Sequence, residues 1–260
     1  MAAKELDATW LGLLGLRGDG RKVSEHRRLG VACGVARSRY VDGSCELTMG
    51  LTRVVAHVAG PREAPQRSDE VHDRGTLEVT AAVAPFAAVG ERSAGARDRA
   101  SRELAAHVAR ALAGAVVLER YPRSRVDVHV HVLCDDGGAA SCAVNAASLA
   151  LVDAGVFLRD VAAGATVAVH QKRLVWDPTR DEQRGASSLD VAVLPQFGTV
   201  LSAHLDGEAL PQDELGALTD AAVAAACEIG DALAAEVKAT VAHAVDVVAA
   251  SAAAARRDSA

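Results

Sequence analysis

Aromatic side chains are scarce in this chain of 260 residues: three Phe, two Trp and two Tyr, or 3%. A core must therefore be built from Ala, Val and Leu, and the base-stacking rings that single-strand nucleic-acid binders use are nearly absent. The five cysteines, Cys33, Cys45, Cys134, Cys142 and Cys227, are an odd number without Cys-x-x-Cys spacing. That pattern fits neither a zinc ribbon nor a disulfide framework, and the expectation is reduced thiols in an intracellular protein. No run approaches the roughly 18 apolar residues of a membrane-spanning helix. The N-terminus lacks the basic flank and apolar centre of a secretory signal. Positive charge is not in excess either, since the net charge is −6. An independent nucleic-acid binder is usually basic, so RNA contact here requires a local basic patch or partners that share the task. No Gly-x-Ser-x-Gly elbow supports a Ser-His-Asp hydrolase.

What is present centres on residues 123–155. Val126, Val128, Val130 and Val132 alternate with Asp127, His129 and His131 at the period of a strand. Asp135-Asp136-Gly137-Gly138 is a turn signal, and a small-residue helix follows from about Ser141 to Gly155. A glycine turn feeding a helix N-terminus presents backbone N–H groups that suit phosphate. Earlier strands are expected at Leu29–Ala36, Cys45–Met49, Val54–Ala59 and Leu77–Val83, with a loop over Glu63–Arg74. A helix is expected from Arg99 to Leu118, striped by Leu104, Val108 and Leu112 and ended before Pro122. Later strands fall at Val161–Val169, Leu189–Leu194 and Thr199–Leu205, and a last helix opens at Pro211 with a stripe reaching Val245. This order gives an α/β or α+β chain with β-α-β crossings. The mixed-charge run Arg17–Arg28 reads as a solvated face, and Leu11–Leu14 as an apolar patch on an N-terminal tail. His129 and His131 share a strand face, but the sequence offers no third ligand beside them, so no metal site is assigned.

The segment Gly137-Gly138 followed by Asn145-Ala-Ala-Ser-Leu-Ala-Leu-Val-Asp-Ala-Gly155 resembles the phosphate loop of the RNase PH family, in its exosome-ring branch. Arg17-Gly-Asp-Gly-Arg21, Asp42-Gly-Ser44, Gly60-Pro-Arg-Glu63, Ala84-Pro-Phe86 and Tyr121-Pro-Arg123 repeat that family's pattern in order. The resemblance runs from about Gly15 to about residue 245. It implies an RNase PH-like fold of two similar β-α-β halves (ribosomal protein S5 domain 2-like) over residues 15–250. Residues 1–14 and 251–260 are then tails. It also implies that Arg17–Arg28 packs on a neighbouring subunit of a hexameric ring.

In active members of the family, phosphate attacks the 3′-terminal phosphodiester of RNA and releases a nucleoside diphosphate. A Gly-Ser/Thr-Arg turn holds the phosphate, because the planar guanidinium donates two hydrogen bonds to it. An aspartate further on assists proton transfer. In this chain those positions fall on Gly138, Ala139 and Ala140, and the aspartate on Ser188. The hydroxyl, the guanidinium and the carboxylate are all absent. Asp190, two residues on, is a possible substitute, displaced by about 6.5 Å along a strand. Each lost hydrogen bond to a charged group is worth about 1.5–3 kcal/mol, and a missing general acid costs roughly 10²- to 10⁴-fold. The resemblance thus implies a decayed site, with Gly137 and Gly138 as its remnant.

The same resemblance places basic residues for RNA at Arg99 and Arg97, before the first long helix, and at Arg62 and Arg67, in the loop after Gly60-Pro61. The expected function is a non-catalytic subunit of an exosome ring, scaffolding the complex and guiding single-stranded RNA. The alternative is an active phosphate-dependent 3′-to-5′ exoribonuclease working through Asp190. Implied partners are other RNase PH-like subunits, OB-fold or KH cap subunits, a separate hydrolytic nuclease and single-stranded RNA, with no cofactor, no metal and no membrane. The implied setting is RNA degradation and ribosomal RNA processing in nucleus, nucleolus and cytoplasm.

Overall fold

The valine alternation becomes an eleven-residue strand, Ser124–Cys134, with Val126, Val128, Val130 and Val132 buried and His129 and His131 facing out. The computed structural model describes residues 16–36, 38–63, 71–87, 94–170 and 173–258, with backbone only for residue 94 and residues 243–258. In chain order these form β1 (Leu29–Cys33), β2 (Gly43–Met49), β3 (Thr52–Glu63), β4 (Thr76–Val83), α1 (Ala94–Ala115) and β5 (Ser124–Cys134). There follow α2 (Ala139–Asp153), β6 (Ala163–His170), β7 (Arg173–Trp176), α3 (Arg180–Gln183), β8 (Ser187–Leu194), β9 (Thr199–Asp206) and α4 (Gln212–Asp258).

The strands make two sheets, in the orders β1-β2-β3-β5-β4 and β7-β6-β8-β9. Every pairing is antiparallel except β4 with β5, which α1 connects as a β-α-β crossover. The fold is therefore the mixed α/β arrangement expected. Helix α2 lies between the sheets, touching β2 and β3 on one side and β6 on the other. Such a helix must be apolar all round and slim. Residues 141–151 are all buried, and none is bulkier than leucine.

Two sequence motifs turn out to seat this helix. Asn145 bonds the backbone of Gly164 twice, donating to its carbonyl at 3.0 Å and accepting from its N–H at 2.6 Å. The Ser44 N–H donates to Asp153 at the other end, at 2.9 Å. Gly43 allows the close approach, because a Cβ there would stand 2.3 Å from the Ala154 nitrogen. These contacts are long-range, so the motif words encode packing as well as chemistry.

Two expectations need correction. The sequence pattern indicated no elements between Val169 and Leu189, yet β7 and α3 lie there. Thr179 and Glu182 form a capping box that starts α3, a signal present in the letters Thr-Arg-Asp-Glu. The Arg17–Arg28 run is not simply a solvated face. Arg17 and Arg27 are only 6% and 8% exposed, and both are claimed by the β7–α3 turn. Arg17 pairs with Glu182 and donates to the Trp176 carbonyl at 2.7 Å. Helix α4 continues to Asp258, through the stretch read as a C-terminal tail. Residues 1–14 and Arg67 lie outside the described residues.

Candidate functional site

The turn from β5 into α2 is built rigidly around two glycines in the left-handed region, Gly137 at φ 94° and Gly138 at φ 63°. A Cβ on Gly137 would meet the Pro178 carbonyl oxygen at 2.5 Å, so no side chain fits there. Thr52 accepts from the Asp136 N–H at 3.1 Å and donates to the Gly137 carbonyl at 2.8 Å. Arg27 donates to the carbonyls of Asp136 and Gly137, both at 2.9 Å. The Arg180 N–H closes the turn from the far side, at 2.9 Å from the Asp136 carbonyl. The turn is thus fixed on both sides by side-chain and backbone hydrogen bonds.

Gly138 caps α2 without a side-chain hydrogen bond, and the next two residues, Ala139 and Ala140, present methyl groups. Both alanines line a cavity of about 330 Å³. Its other walls come from β4 and β5 (Val83, Val132), from α1 (Glu103, Leu104, His107, Arg110) and from β8 and β9 (Asp190, His204, Asp206), with Asp135 at the turn. Ser188, where the resemblance to the family places an aspartate, is not among the residues lining this cavity. The side chain that reaches it is Asp190, with His204 and Asp206 on the adjoining strand.

Asp190 is the most chemically unusual group there. Burial raises its carboxyl to a pKa of about 6, against the opposing hydrogen bond from Thr166 and the neighbouring His204, while Asp206 adds to the rise. Thr166 lies 2.5 Å from Asp190 and 2.9 Å from Ser141, which itself donates to the Gly138 carbonyl at 2.9 Å. Protons must be counted along this chain. If Ser141 donates to Gly138 and Thr166 donates to Ser141, the remaining short contact needs a proton on Asp190. When Asp190 ionises, Thr166 must turn and donate to it.

The electrostatics of the cavity oppose an anion. Glu103, Asp135, Asp190 and Asp206 face it against one lining guanidinium, Arg110, and Arg180 pairs with Asp135 at 3.5 Å. At about 4 Å, like charges repel by about 1 kcal/mol in water and about 4 kcal/mol at a protein surface. Sequence reasoning found Asp190 and the two alanines but not Glu103, His107, His204 or Asp206. The last four sit on α1 and β9, and nothing in their local spacing points to a shared cavity.

The expected RNA contacts separate. Arg97 and Arg99 stand in the first turns of α1, Arg99 exposed and beside Arg102, a short way from the cavity mouth. Arg62, at the end of β3, is held by Asp42 at 2.9 Å. On the open face of the first sheet, His57 pairs directly with His129 and its ring lies 5.6 Å from that of His131. This histidine neighbour comes from a different strand, which is why sequence spacing missed it.

Residues 25–156 match the model of the 3′ exoribonuclease family, domain 1, and residues 160–225 that of its domain 2. The chain is 37% identical over 194 residues to exosome complex component Rrp41 of Pyrobaculum aerophilum, spanning 74% of this chain and 78% of that protein. It is 36% identical over 198 residues to Rrp41 of Methanopyrus kandleri, spanning 76% and 82%. Among solved structures, rice (Oryza sativa) Rrp46 superposes with a TM-score of 0.74 at 20% identity, covering 85% of this chain and all of that one. A chain of the Archaeoglobus fulgidus exosome with RNA bound to the active site gives 0.70 at 24% identity, covering 88% and 98%. At these identities the structural likeness speaks for the fold.

Proposed function

The chain belongs to the RNase PH family of 3′ exoribonucleases, and we propose that it is a non-catalytic ring subunit of an exosome, which scaffolds the complex and guides single-stranded RNA. The observation that carries this reading is the pairing of an intact turn with an emptied binding set. Gly137 and Gly138 keep their geometry, while methyl groups at Ala139 and Ala140 and surrounding carboxylates replace the donors an anion needs. Removing two charge-assisted hydrogen bonds and adding repulsion weakens phosphate binding by several kcal/mol. The Rrp41 relatives, which are exosome complex components, support the assignment to a ring of RNase PH-like subunits. OB-fold or KH caps, a separate hydrolytic nuclease, and ribosomal RNA processing in nucleus, nucleolus and cytoplasm complete the proposal. RNA would be held through its backbone by Arg97 and Arg99, with the other ring subunits supplying the charge that this acidic chain lacks.

A second reading rests on Asp190. A carboxyl titrating near 6 on a cavity wall is suited to proton transfer at neutral pH. An active phosphorolytic exoribonuclease would use it, with an arginine supplied by a neighbouring subunit. The two readings part on phosphate. A titration of the natural chain with inorganic phosphate should show no saturable binding, whereas Ala139→Ser with Ala140→Arg should gain it, because the turn is already formed. Saturable binding to the natural chain in this cavity would overturn the non-catalytic reading.

A further inference from the structure

The cavity that no longer suits phosphate is still a built site. Its apolar half, Val83, Leu104, Val132 and the two alanines, would take a hydrocarbon stem. Its polar half is acidic, with Glu103, Asp190 and Asp206 arriving from three different elements. An independent feature also lacks its partner. His107 is 4% exposed on the same wall, and both of its ring nitrogens are buried without a hydrogen bond. Burial, with Arg110 and His204 nearby, lowers its pKa to about 4, so the imidazole is neutral at physiological pH. A neutral imidazole can accept an N–H, and leaving it unpaired in the interior costs free energy that a donor would recover.

We propose that this cavity binds a small organic cation, an aliphatic amine of the polyamine class, with its separate ammonium groups facing Asp190, Asp206 and Glu103 and its methylenes against Leu104 and Val132. The inference rests on the non-catalytic reading, because it takes the loss of phosphate binding as its starting point. A metal ion is the poorer match, since among the described residues no three His, Cys, Asp or Glu side chains form a group that could hold one. The volume of about 330 Å³ is at the small end for ligand pockets, which favours an amine over a nucleotide. Ammonium–carboxylate bonds are charge-assisted, and the hydrocarbon stem gains from leaving water.

The test is titration of the full chain with spermidine at physiological salt, followed by calorimetry and by the backbone resonances of Ala139 and Ala140. Inorganic phosphate forms a parallel arm. Spermidine should bind saturably and shift those resonances. Asp190→Asn with Asp206→Asn should weaken it at least about tenfold. Asp220→Asn, an exposed change on α4 that also removes a negative charge, should leave it unchanged. Thermal melting of each variant separates lost binding from lost folding. Spermidine binding that ignores the cavity substitutions, or no binding of either probe, would overturn the inference and leave the non-catalytic reading standing. Saturable phosphate binding that shifts Ala139 and Ala140 would overturn both.

Discussion

Arg27 holds both carboxylate oxygens of Asp177, Nη2 to Oδ1 at 2.5 Å and Nε to Oδ2 at 2.9 Å, with both side chains buried. The same guanidinium donates to the carbonyls of Asp136 and Gly137. One side-chain pair therefore ties the segment before β1, the turn before α2 and the turn after β7. It explains how the loop keeps its shape without a ligand to organise it. Burial alone would raise the Asp177 carboxyl, but the hydrogen bonds and charge of Arg27 outweigh this and hold it below the usual carboxylate range.

Breaking this pair should be costly. Asp177→Ala leaves the buried Arg27 without its bidentate partner, with only the more distant Asp136 carboxylate at 3.7 Å, a loss of about 3 kcal/mol, measurable by urea unfolding. Replacing both residues with apolar ones of similar volume should cost less than the single change. Because the folded pKa of Asp177 is depressed, its contribution is present above the unfolded value of 3.8 and is lost as pH falls through the folded one. Asp177→Asn should remove that part of the acid dependence.

His107 should dominate a second acid transition. Its folded pKa of about 4 lies below the unfolded 6.5, so the unfolded chain binds the proton more readily. Stability should fall as pH drops from 6.5 towards 4 and level off below. His107→Leu should flatten this slope and cost little at pH 8, because it replaces an unpaired buried imidazole with a hydrocarbon. His26, His57 and His131 are also lowered by burial and will leave a residual slope. Guanidinium unfolding midpoints across that pH range give the comparison.

Asp190 has the opposite sign. Its folded pKa of about 6 exceeds the unfolded 3.8, so ionising it opposes folding as pH rises through that window. Asp190→Asn should stabilise the chain at pH 8 by roughly 3 kcal/mol, or about 6–12 °C in Tm. The gain should vanish below about pH 3, where both states are protonated. An equal gain at both pH values would exclude the titration as its cause.

Much of this was legible in the sequence, for reasons that particular residues make plain. The valines of β5 and the stripe of α1 reflect local periodicity, which a linear reading captures. The alanines at 139 and 140 were found by counting back from Asn145-Ala-Ala-Ser within the family resemblance. What escaped depends on contacts between distant elements. Arg27 reads as a surface charge until Asp177 is brought to it across 150 positions. His107 and Asp206 meet only because α1 and β9 share a cavity wall. Arg67 lies outside the described residues, so its expected place at the RNA entry rests on the sequence alone.

The RNA path is open to a direct test. Arg97→Ala with Arg99→Ala in the assembled ring should weaken RNA binding. The slope of log affinity against log salt should also flatten by about 0.7 for each phosphate contact removed. Fluorescence anisotropy with a labelled single strand, over a series of salt concentrations, reads both. Unchanged affinity and slope with the ring intact would take these residues off the path.

The central claim is loss of phosphorolysis, and one assay addresses it most directly. Short single-stranded RNA is incubated with the assembled complex, with and without inorganic phosphate, and nucleoside diphosphates are measured. The complex containing the natural chain is compared with one containing Asp190→Asn, ring integrity being verified by size exclusion. The account predicts no phosphate-dependent diphosphate that depends on Asp190. Diphosphate formed by the natural complex and abolished by Asp190→Asn would contradict it and make this chain the enzyme.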